Sequence, residues 1–535
     1  MNIEFLGPLG RVTGSCTWMH DKEKGWNFLV DCGIQQGEGN PDIWNQGIDW
    51  PFEPSEIKFV LLTHAHMDHC GLIPMLYKRG FQGKVICTSE TAAIAKVMLV
   101  DATKLGAFYD ESDVAKIKWF EPRGKSLLGG ALHPVGDDLF INFYRTSHII
   151  GAVAIGVYWG DFKAGKQKKI IFSGDLGVCN EDSEHLPLLR HIMKPHEFDY
   201  AVIESTYGGK VRSTEEQTVE YRWNQIKNLC DQVAENKSRA LLPSFSLGRA
   251  QDLLFDLHWV LNSNPKQYSN ITVVLDSPTA NKLTPIILQA LERTEVTGKS
   301  FKKARPLWLG KQIFRWFELD DTDPNQVDRL IDIVRVTLGE EPKFSEYAGL
   351  FGNQIAKSWT SKVRVISERS QRTQIPENDP QIIIASSGSC DGGAVTHWLP
   401  TSVRSSHSLI CLTGFSGPSS VAGQLSQLQG VEQSERRRLR GSIQIESANL
   451  DIPIREISCE LTTLNGYSGH ADQTGLLNWL FWSFKGESKR TAPWIFIQHG
   501  NDNERKALEK AIHERNGKEP IVVKLPSQRA HKYKL

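Results

Sequence analysis

The stretch THAHMDHCG (residues 63–71) places three histidines and one aspartate at His64, His66, Asp68 and His69. The apolar run IKFVLL before it predicts a buried strand, and GLIPMLYK after it predicts a helix. The polar side chains therefore lie on the turn between a strand and a helix, where a rigid frame holds them. Zinc prefers neutral imidazole and carboxylate ligands, so the stretch predicts a metal site.

The spacing within this turn predicts more than one ion. His64 and His66, two residues apart in an extended turn, can point to one side, while Asp68 and His69 turn the other way. One loop can then serve two ions about 3.5 to 4 Å apart, the separation found in two-metal hydrolases.

Two ions need further ligands, and three candidates lie at the ends of other predicted strands. These are His148 in FYRTSHIIGA, Asp175 in IIFSGDLG and His499 in WIFIQHG. Each one alone is more often a turn former or a satisfied polar residue. Together with the first cluster they give seven ligands, enough for two ions with Asp175 shared.

Composition favours a globular protein of two or three domains. The chain has 535 residues, of which 40% are hydrophobic and 23% are charged, and Lys plus Arg (62) balance Asp plus Glu (62). We find no signal-peptide pattern and no run of about 18 apolar residues, so we expect a soluble cytoplasmic protein without a membrane partner. Nine scattered cysteines without a Cys-x-x-Cys pair argue against disulfides and thiolate zinc fingers.

Short β-branched runs alternate with amphipathic stretches, which is typical of an α/β fold. Strands are predicted at 57–62, 84–88, 139–145, 152–159, 169–173 and 200–204. After Thr206 a separate strand, helix, strand pattern predicts an inserted α/β domain over 207–453, with an elaboration at 295–378. The residues 1–206 and 454–535 would then form one domain around it.

The stretch THAHMDHCG resembles the His-x-His-x-Asp-His signature of the metallo-β-lactamase superfamily. His148, Asp175 and His499 follow in the order in which that superfamily places its later ligands. The opening FLGPLGRVTGSC and FLVDCGIQQGE resemble its first motif, which implies that Asp31 supports the metal loop without binding an ion. The resemblance implies an αββα sandwich with two zinc ions, manganese being the alternative metal.

Five later stretches resemble the β-CASP nucleases: VIESTYG (202–208), ALLPSFSLGRAQDLL (240–254), VVLDSPTA (273–280), IIIASSGSCDGG (382–393) and GYSGHADQ (466–473). In that family a β-CASP domain is inserted into the lactamase fold and caps the metal site. The resemblance makes Glu204 the acidic residue of motif A, His470 the histidine of motif B and His499 that of motif C. A histidine at the last position favours RNA over DNA.

These positions suit phosphodiester hydrolysis. That reaction needs an activated water, stabilisation of the negative charge on the phosphate, and a proton for the departing alkoxide. We assign the proton to His470, with Glu204 as its orienting partner, and we count Asp68 among the catalytic residues. For phosphate contacts we name Ser386, Ser387, Gly388 and Arg249, because a Ser/Gly turn can present backbone N–H groups to an anion. Such a turn after a strand is usually only a turn.

The leading hypothesis is a two-zinc ribonuclease that cuts single-stranded RNA. The alternatives are a DNA nuclease of the same fold, a hydrolase of small molecules, and a catalytically silent RNA-binding subunit. The sequence does not separate endonuclease from 5′-exonuclease action, and it leaves a homodimer open.

Overall fold

The computed structural model describes the chain except residues 8, 37–40, 123–127, 129–130, 180–185, 187, 196, 237, 297–303, 342, 344–362, 377–378, 415 and 483–490. Within the described residues, no helix is long and apolar enough to cross a membrane.

The strands, numbered in chain order, form three large sheets and two hairpins. Strands β1 to β11 cover Asn2–Leu6, Cys16–Asp21, Trp26–Val30, Phe59–Leu61, Lys84–Ile86, Trp119–Phe120, His133–Gly136, Leu139–Arg145, Val153–Asp161, Lys166–Phe172 and Tyr200–Ile203. Strands β12 to β24 cover Arg239–Pro243, Thr272–Asp276, Thr294–Val296, Ala304–Pro306, Val363–Val365, Gln381–Ala385, Ser408–Leu412, Ser442–Ile445, Leu450–Pro453, Glu460–Thr463, Trp494–Ile497, Val522–Lys524 and Lys532–Lys534.

The described α-helices connect these strands. Helices α1 to α8 cover Pro41–Asn45, Met67–Cys70, Ile73–Lys78, Ser89–Thr103, Glu111–Ala115, Val219–Asn236, Arg249–Ser263 and Pro278–Leu291. Helices α9 to α15 cover Lys311–Trp316, Pro324–Thr337, Val395–Arg404, Val421–Ser426, Gln433–Arg436, Gln473–Leu480 and Asp502–Asn516.

Two mixed sheets pack face to face. The first has the strand order β24-β1-β2-β3-β4-β5-β6, and the second has the order β23-β22-β11-β10-β9-β8-β7. Side chains alternate across the second sheet: Ile170 and Phe172 join the core shared with the first sheet, whereas Ile171 joins a separate core under helices α14 and α15. Helices α14 and α15 thus cover the outer face of the second sheet, and the two facing sheets are those of the expected αββα sandwich.

The third sheet is parallel throughout, with the order β16-β13-β17-β12-β18-β21. Strands β12, β17 and β18 are buried along their whole length, as parallel strands covered on both faces must be. The sheet and its helices confirm an inserted α/β domain.

One boundary differs from the expectation. We placed the end of the inserted domain at residue 453, yet β21 (Glu460–Thr463) pairs with β18 in the third sheet. A local pattern of apolar residues does not reveal which sheet a strand joins, because pairing partners are distant in sequence. We therefore propose that the chain returns to the sandwich after Thr463.

The expected elaboration at 295–378 is described only in part, since 297–303, 342, 344–362 and 377–378 lie outside the described residues. The described part contains helices α9 and α10. Trp316 at the end of α9 packs against Trp223 of α6 and Trp259 of α7, with ring centroids 4.9 and 5.6 Å away. This part therefore rests on the helices of the inserted domain.

The fold brings the predicted polar residues to one edge. Strands β4, β8, β10, β11 and β22 end shortly before His64, His148, Asp175, Glu204 and His499, respectively. Strands β12 and β17 of the third sheet end at Pro243 and Ala385, directly before the Ser244 and Ser386 turns. Loops at strand ends thus supply the side chains of the site from a rigid frame.

Candidate metal centre

A first group of donor atoms converges beside the turn 63–66. Nδ1 of His66 lies 3.1 Å from Nε2 of His64 and 3.0 Å from Nε2 of His148. Oδ2 of Asp175 lies 3.4 Å from Nε2 of His64 and 3.5 Å from Nε2 of His148. Three imidazoles and one carboxylate, contributed by three different loops, thus face a common centre.

A second group lies on the other side of Asp175. Nε2 of His499 is 3.3 Å from Nε2 of His69 and 3.1 Å from Oδ2 of Asp68. Oδ1 of Asp175 is 3.2 Å from Nε2 of His69. Two imidazoles and two carboxylates therefore meet here, and they could hold a second ion.

Asp175 faces each group with a different carboxylate oxygen. Its Oδ1 atom is buried and makes no hydrogen bond with any residue that the structure describes. A buried carboxylate oxygen without a donor is costly unless a cation completes its surroundings.

The spacing of the donor atoms agrees with that interpretation. Bonds of about 2.0 Å to a tetrahedral zinc ion place neighbouring donor atoms about 3.3 Å apart. The donor pairs of the first group given above lie 3.0 to 3.5 Å apart. The residues present therefore fit a pair of metal ions that share Asp175.

Asp31 fixes the orientation of two of these histidines. Its Oδ2 atom lies 2.8 Å from Nδ1 of His69, and it accepts hydrogen bonds from the backbone N–H (Oδ1, 2.8 Å) and the hydroxyl (Oδ2, 2.9 Å) of Thr63. The Thr63 hydroxyl lies 3.1 Å from Nδ1 of His64. Partners at the outer ring nitrogen set the tautomer and leave Nε2 free for a metal. Asp31 itself points no oxygen into either group, in keeping with a supporting role.

Two further outer contacts come from distant parts of the chain. Nδ1 of His148 donates to the main-chain carbonyl of Gly469 at 2.8 Å. Nδ1 of His499 lies 3.4 Å from the Thr206 hydroxyl and 3.3 Å from Oδ1 of Asp175. Sequence reasoning missed Thr63, Thr206 and Gly469. Thr63 could have been suspected as the residue that begins the metal turn, but a carbonyl carries no side-chain signal.

His470 and Glu204 form a pair at the edge of the first group. Nδ1 of His470 lies 3.2 Å from Oε1 of Glu204, and Nε2 of His470 lies 4.0 Å from Oδ2 of Asp175. Glu204 also accepts hydrogen bonds from the backbone N–H of Leu176 (2.7 Å) and Thr206 (3.1 Å). These bonds hold Glu204 in place, so its carboxylate orients the His470 ring.

The electrostatics differ between the two groups. Burial, with the charge of His64, lowers the pKa of His66 to about 3. Burial acts to lower the pKa of His69, but the negative charges of Asp175, Asp31 and Asp68 outweigh it and raise that pKa. Burial opposes ionisation of Asp175, yet the surrounding histidines hold its pKa well below the usual range. The first group thus offers neutral imidazoles, and the carboxylates of the second attract positive charge.

Two of the four expected phosphate contacts use their backbone N–H groups within the protein. The backbone N–H of Ser386 donates to the carbonyl of Asp276 (3.3 Å), and that of Ser387 donates to the carbonyl of Gly392 (3.1 Å). Gly388 lies against Phe245, whose ring a Cβ at this glycine would approach to 3.1 Å. These contacts stay within the turn and its neighbouring strands, so the predicted backbone cradle is not open at Ser386 or Ser387.

Arg249, the fourth, has a different environment. It begins helix α7, and its Nη1 atom is buried without a hydrogen-bond partner among the described residues. Burial, opposed by the charge of Asp252, lowers the pKa of the guanidinium to about 10. A cation with a spare donor can accept an anionic ligand.

Three family models match successive parts of the chain. The metallo-beta-lactamase superfamily matches residues 9–144, the Beta-Casp domain matches residues 250–425, and the Zn-dependent metallo-hydrolase RNA specificity domain matches residues 454–523. The matches cover both parts of the sandwich and the inserted domain.

The chain is also similar to curated proteins. A ribonuclease of Thermus thermophilus is 24% identical over 518 residues, covering 96% of each chain. The transcription termination factor FttA of Cenarchaeum symbiosum is 23% identical, covering 96% of this chain and 68% of that one. The cleavage and polyadenylation specificity factor 73 of Drosophila melanogaster is 29% identical, covering 50% of this chain and 36% of that one. The chain therefore belongs to the β-CASP family of the metallo-β-lactamase superfamily and is a metal-dependent hydrolase.

Proposed function

We propose that this protein is a zinc-dependent ribonuclease that hydrolyses phosphodiester bonds of single-stranded RNA. The observation that carries the proposal is the position of Asp175, which gives one carboxylate oxygen to each group of histidines. His470 stands 4.0 Å from the same carboxylate and is held by Glu204. This arrangement combines a two-ion centre with a separate proton donor.

The residues of this chain divide the work. His64, His66, His148 and Asp175 would hold one ion, and Asp68, His69, His499 and Asp175 would hold the other. Manganese is the alternative metal, since it also accepts imidazole and carboxylate ligands. Bound zinc ions would supply an activated water and charge stabilisation for the phosphate.

His470 is the general acid of this proposal. Burial acts to lower the pKa of His470, but the charge and hydrogen bond of Glu204 outweigh it and raise that pKa. The raised pKa keeps a proton on the ring near neutral pH, where a departing alkoxide needs one. The ring reaches the site from the loop after β21 and is a fifth exposed, so a substrate can contact it.

Several findings support RNA as the substrate. The model that matches residues 454–523 is described as an RNA specificity domain, and a relative with 96% coverage is named a ribonuclease. Arg249 offers a buried cationic donor at the start of helix α7. We propose that the RNA lies between the two domains, where a single strand can enter more readily than a duplex. Ser386, Ser387 and Gly388 remain proposed contacts of the turn as a whole.

We place the protein in the cytoplasm. All nine cysteines are free and buried, which fits a reducing compartment.

The proposal is tested with the zinc-loaded protein and two end-labelled oligonucleotides of the same sequence, one of RNA and one of DNA. We expect the RNA to be cut at least about 100-fold faster, because the 2′-hydroxyl lets a protein distinguish the two. A duplex of the same RNA serves as a control for the single-strand requirement. Cleavage of neither polymer by protein shown to hold zinc would overturn the proposal, and equal cleavage of both would favour a general nuclease.

A further inference from the structure

The loop 465–472 lies between β21, which pairs with β18, and helix α14 of the sandwich. It carries His470 and also the carbonyl of Gly469, which accepts the hydrogen bond from His148. Its first residue is attached to helix α6, because Asn465 and Gln225 exchange two hydrogen bonds of 2.8 and 3.1 Å. The loop therefore connects the inserted domain with the proposed proton donor.

Tyr467 anchors the middle of this loop. The residue is 1% exposed, and its hydroxyl donates to Oδ2 of Asp256 at 2.7 Å. Asp256 of helix α7 is itself fully buried and also accepts from Nε of Arg222 (2.9 Å) and Nε1 of Trp223 (3.0 Å). A buried carboxylate with this many donors is held rigidly, so it fixes the tyrosine hydroxyl.

The other end of the loop is attached to the sandwich side. The backbone N–H of Ala471 donates to the carbonyl of Leu176 at 2.7 Å, and Nη1 of Arg212 donates to the carbonyl of His470 at 3.0 Å. His470 thus lies three residues beyond Tyr467 and directly before a fixed residue. Only residues 468–470 lie between Tyr467 and the fixed Ala471, so a displacement of Tyr467 would also displace His470.

We propose that Tyr467 is a positioning residue for His470. The hydrogen bond from Tyr467 to Asp256 sets the course of residues 468–470, so that the His470 ring meets Glu204 on one side and Asp175 on the other. The inserted domain thereby controls how well the proton donor is aligned. The inference rests on the proposed function, since it assigns Tyr467 to that same reaction.

The reaction step defines the test. Water loses one proton to the solvent and its oxygen forms a bond to phosphorus, the bond from phosphorus to the leaving oxygen breaks, and His470 gives its Nε2 proton to that oxygen and is then reprotonated from the solvent. If the leaving oxygen is replaced by sulfur, the thiolate departs without needing this proton, because a thiol has a pKa of about 8.5. A variant that is impaired only in proton donation should then cut this substrate at the wild-type rate.

The experiment compares wild type with Tyr467→Phe, which keeps the ring and removes the hydroxyl. On single-stranded RNA we expect kcat to fall by about 10- to 100-fold with KM within about two-fold and zinc content unchanged, as a misplacement of about 1 Å would do. The products of the wild type identify which bridging oxygen leaves. On RNA with sulfur at that position, the two proteins should be equal within about three-fold.

Tyr268→Phe is the matched control. Tyr268 is also buried in the inserted domain, and its hydroxyl donates to Oδ1 of Asp231 at 2.8 Å, so this variant loses a comparable hydrogen bond away from the loop. We expect it to cut both substrates at the wild-type rate. Gln225→Ala, which loosens the loop at Asn465, should show a smaller version of the Tyr467→Phe pattern and serves if that variant does not fold.

The outcomes separate the two proposals. Equal rates for Tyr467→Phe and wild type on ordinary RNA, or an equal loss on both substrates, would overturn the positioning role while leaving the ribonuclease in place. A zinc-loaded wild type that cuts no RNA would overturn the proposed function itself.

Discussion

Nδ1 of His470 lies 3.2 Å from Oε1 of Glu204, and the glutamate is almost completely buried whereas a fifth of the histidine side chain is exposed. A buried carboxylate that also accepts two backbone hydrogen bonds cannot turn away, so the histidine adopts the orientation that the carboxylate dictates. The ring then presents Nε2 toward Asp175, 4.0 Å from its Oδ2 atom. We propose that this pair makes His470 a proton donor, although Asp175, Glu204 and His470 also form a group of donor atoms that could hold a metal ion.

Replacing His470 by alanine should lower kcat on single-stranded RNA by about 10²- to 10⁴-fold, the usual contribution of a general acid. Zinc content should stay at the wild-type value, because His470 is not assigned to either group of ligands. Glu204→Gln should lower kcat in the same direction by a smaller factor. The double variant should be little slower than His470→Ala, since the two residues act as a unit. Steady-state kinetics with zinc analysis decides this, and a full rate for His470→Ala would remove it from the reaction.

Asp31→Asn should weaken zinc binding by about 10- to 100-fold, as loss of an outer partner of a ligand does. The asparagine tolerates the positive φ of 59° at this position, so the variant isolates the charge and the hydrogen bond to His69. Competition with a zinc chelator measures the affinity. Asp113→Asn is the control, because Asp113 is a buried carboxylate on helix α5 that contacts Lys116 and lies outside both groups. Equal affinity for the two variants would contradict the role of Asp31.

Arg249→Ala should raise KM for RNA by about 10-fold while kcat changes little. The slope of the logarithm of the RNA-binding constant against the logarithm of the salt concentration should fall by the amount expected for about one phosphate contact. Its Nη1 atom has no hydrogen-bond partner among the described residues, so the variant loses no hydrogen bond of that atom, and thermal unfolding shows whether it is folded. The exposed Arg437, replaced by alanine, provides the comparison for a general loss of positive charge. A KM equal to that of Arg437→Ala would argue against a direct phosphate contact.

Asp252 and Asp256, one helical turn apart in α7, should respond oppositely to replacement. Burial, aided by the charge of Asp256 and opposed by Arg222 and Arg249, raises the pKa of Asp252 to about 7. Between about pH 4 and pH 7 the folded protein therefore keeps a proton that the unfolded chain releases, and the free energy of unfolding falls as the pH rises. The asparagine in Asp252→Asn does not titrate, so the free energy of unfolding of this variant does not fall in this way. The replacement should therefore stabilise the protein more at pH 8 than at pH 5.

The expected difference in the thermal midpoint between these two pH values is about 5 °C. Asp256→Asn should instead lower the midpoint at both pH values, because it breaks the fully buried pair with Arg222, a change that typically costs about 3 to 5 kcal/mol. Thermal unfolding of both variants at both pH values measures this. A gain from Asp252→Asn that is the same at pH 5 and pH 8 would show that Asp252 does not titrate in this range.

The local part of the site could be predicted from the sequence, and the assembled part only as a list of candidates. His64, His66, Asp68 and His69 lie within six residues, where the spacing alone keeps them close. His148, Asp175 and His499 were candidates because each follows a predicted strand, and the family resemblance supplied their order. The structure adds which donor atoms face one another, since this depends on how five strand ends meet at one edge.

Other features depend on contacts that a local pattern does not contain. The carbonyl of Gly469 accepts a hydrogen bond from His148, 321 residues away, and β21 pairs with β18 beyond the predicted boundary at residue 453. The Ser386 and Ser387 turn was predicted as an open anion cradle, but the N–H groups of both residues bond to carbonyls of the protein. Each of these contacts depends on which residues the fold brings together, and local composition does not determine that.

The central claim is that Asp175 joins two zinc ions in one ribonuclease centre, and it is tested by measuring zinc content and RNA cleavage on the same samples of wild type and Asp175→Ala. Wild type should hold about two zinc ions and cut single-stranded RNA, because it has the ligands for both. Asp175→Ala should hold fewer and be at least about 10³-fold slower, because it loses a ligand of both ions. Cleavage by Asp175→Ala at the wild-type rate, or a wild type that cuts RNA without bound metal, would contradict the account.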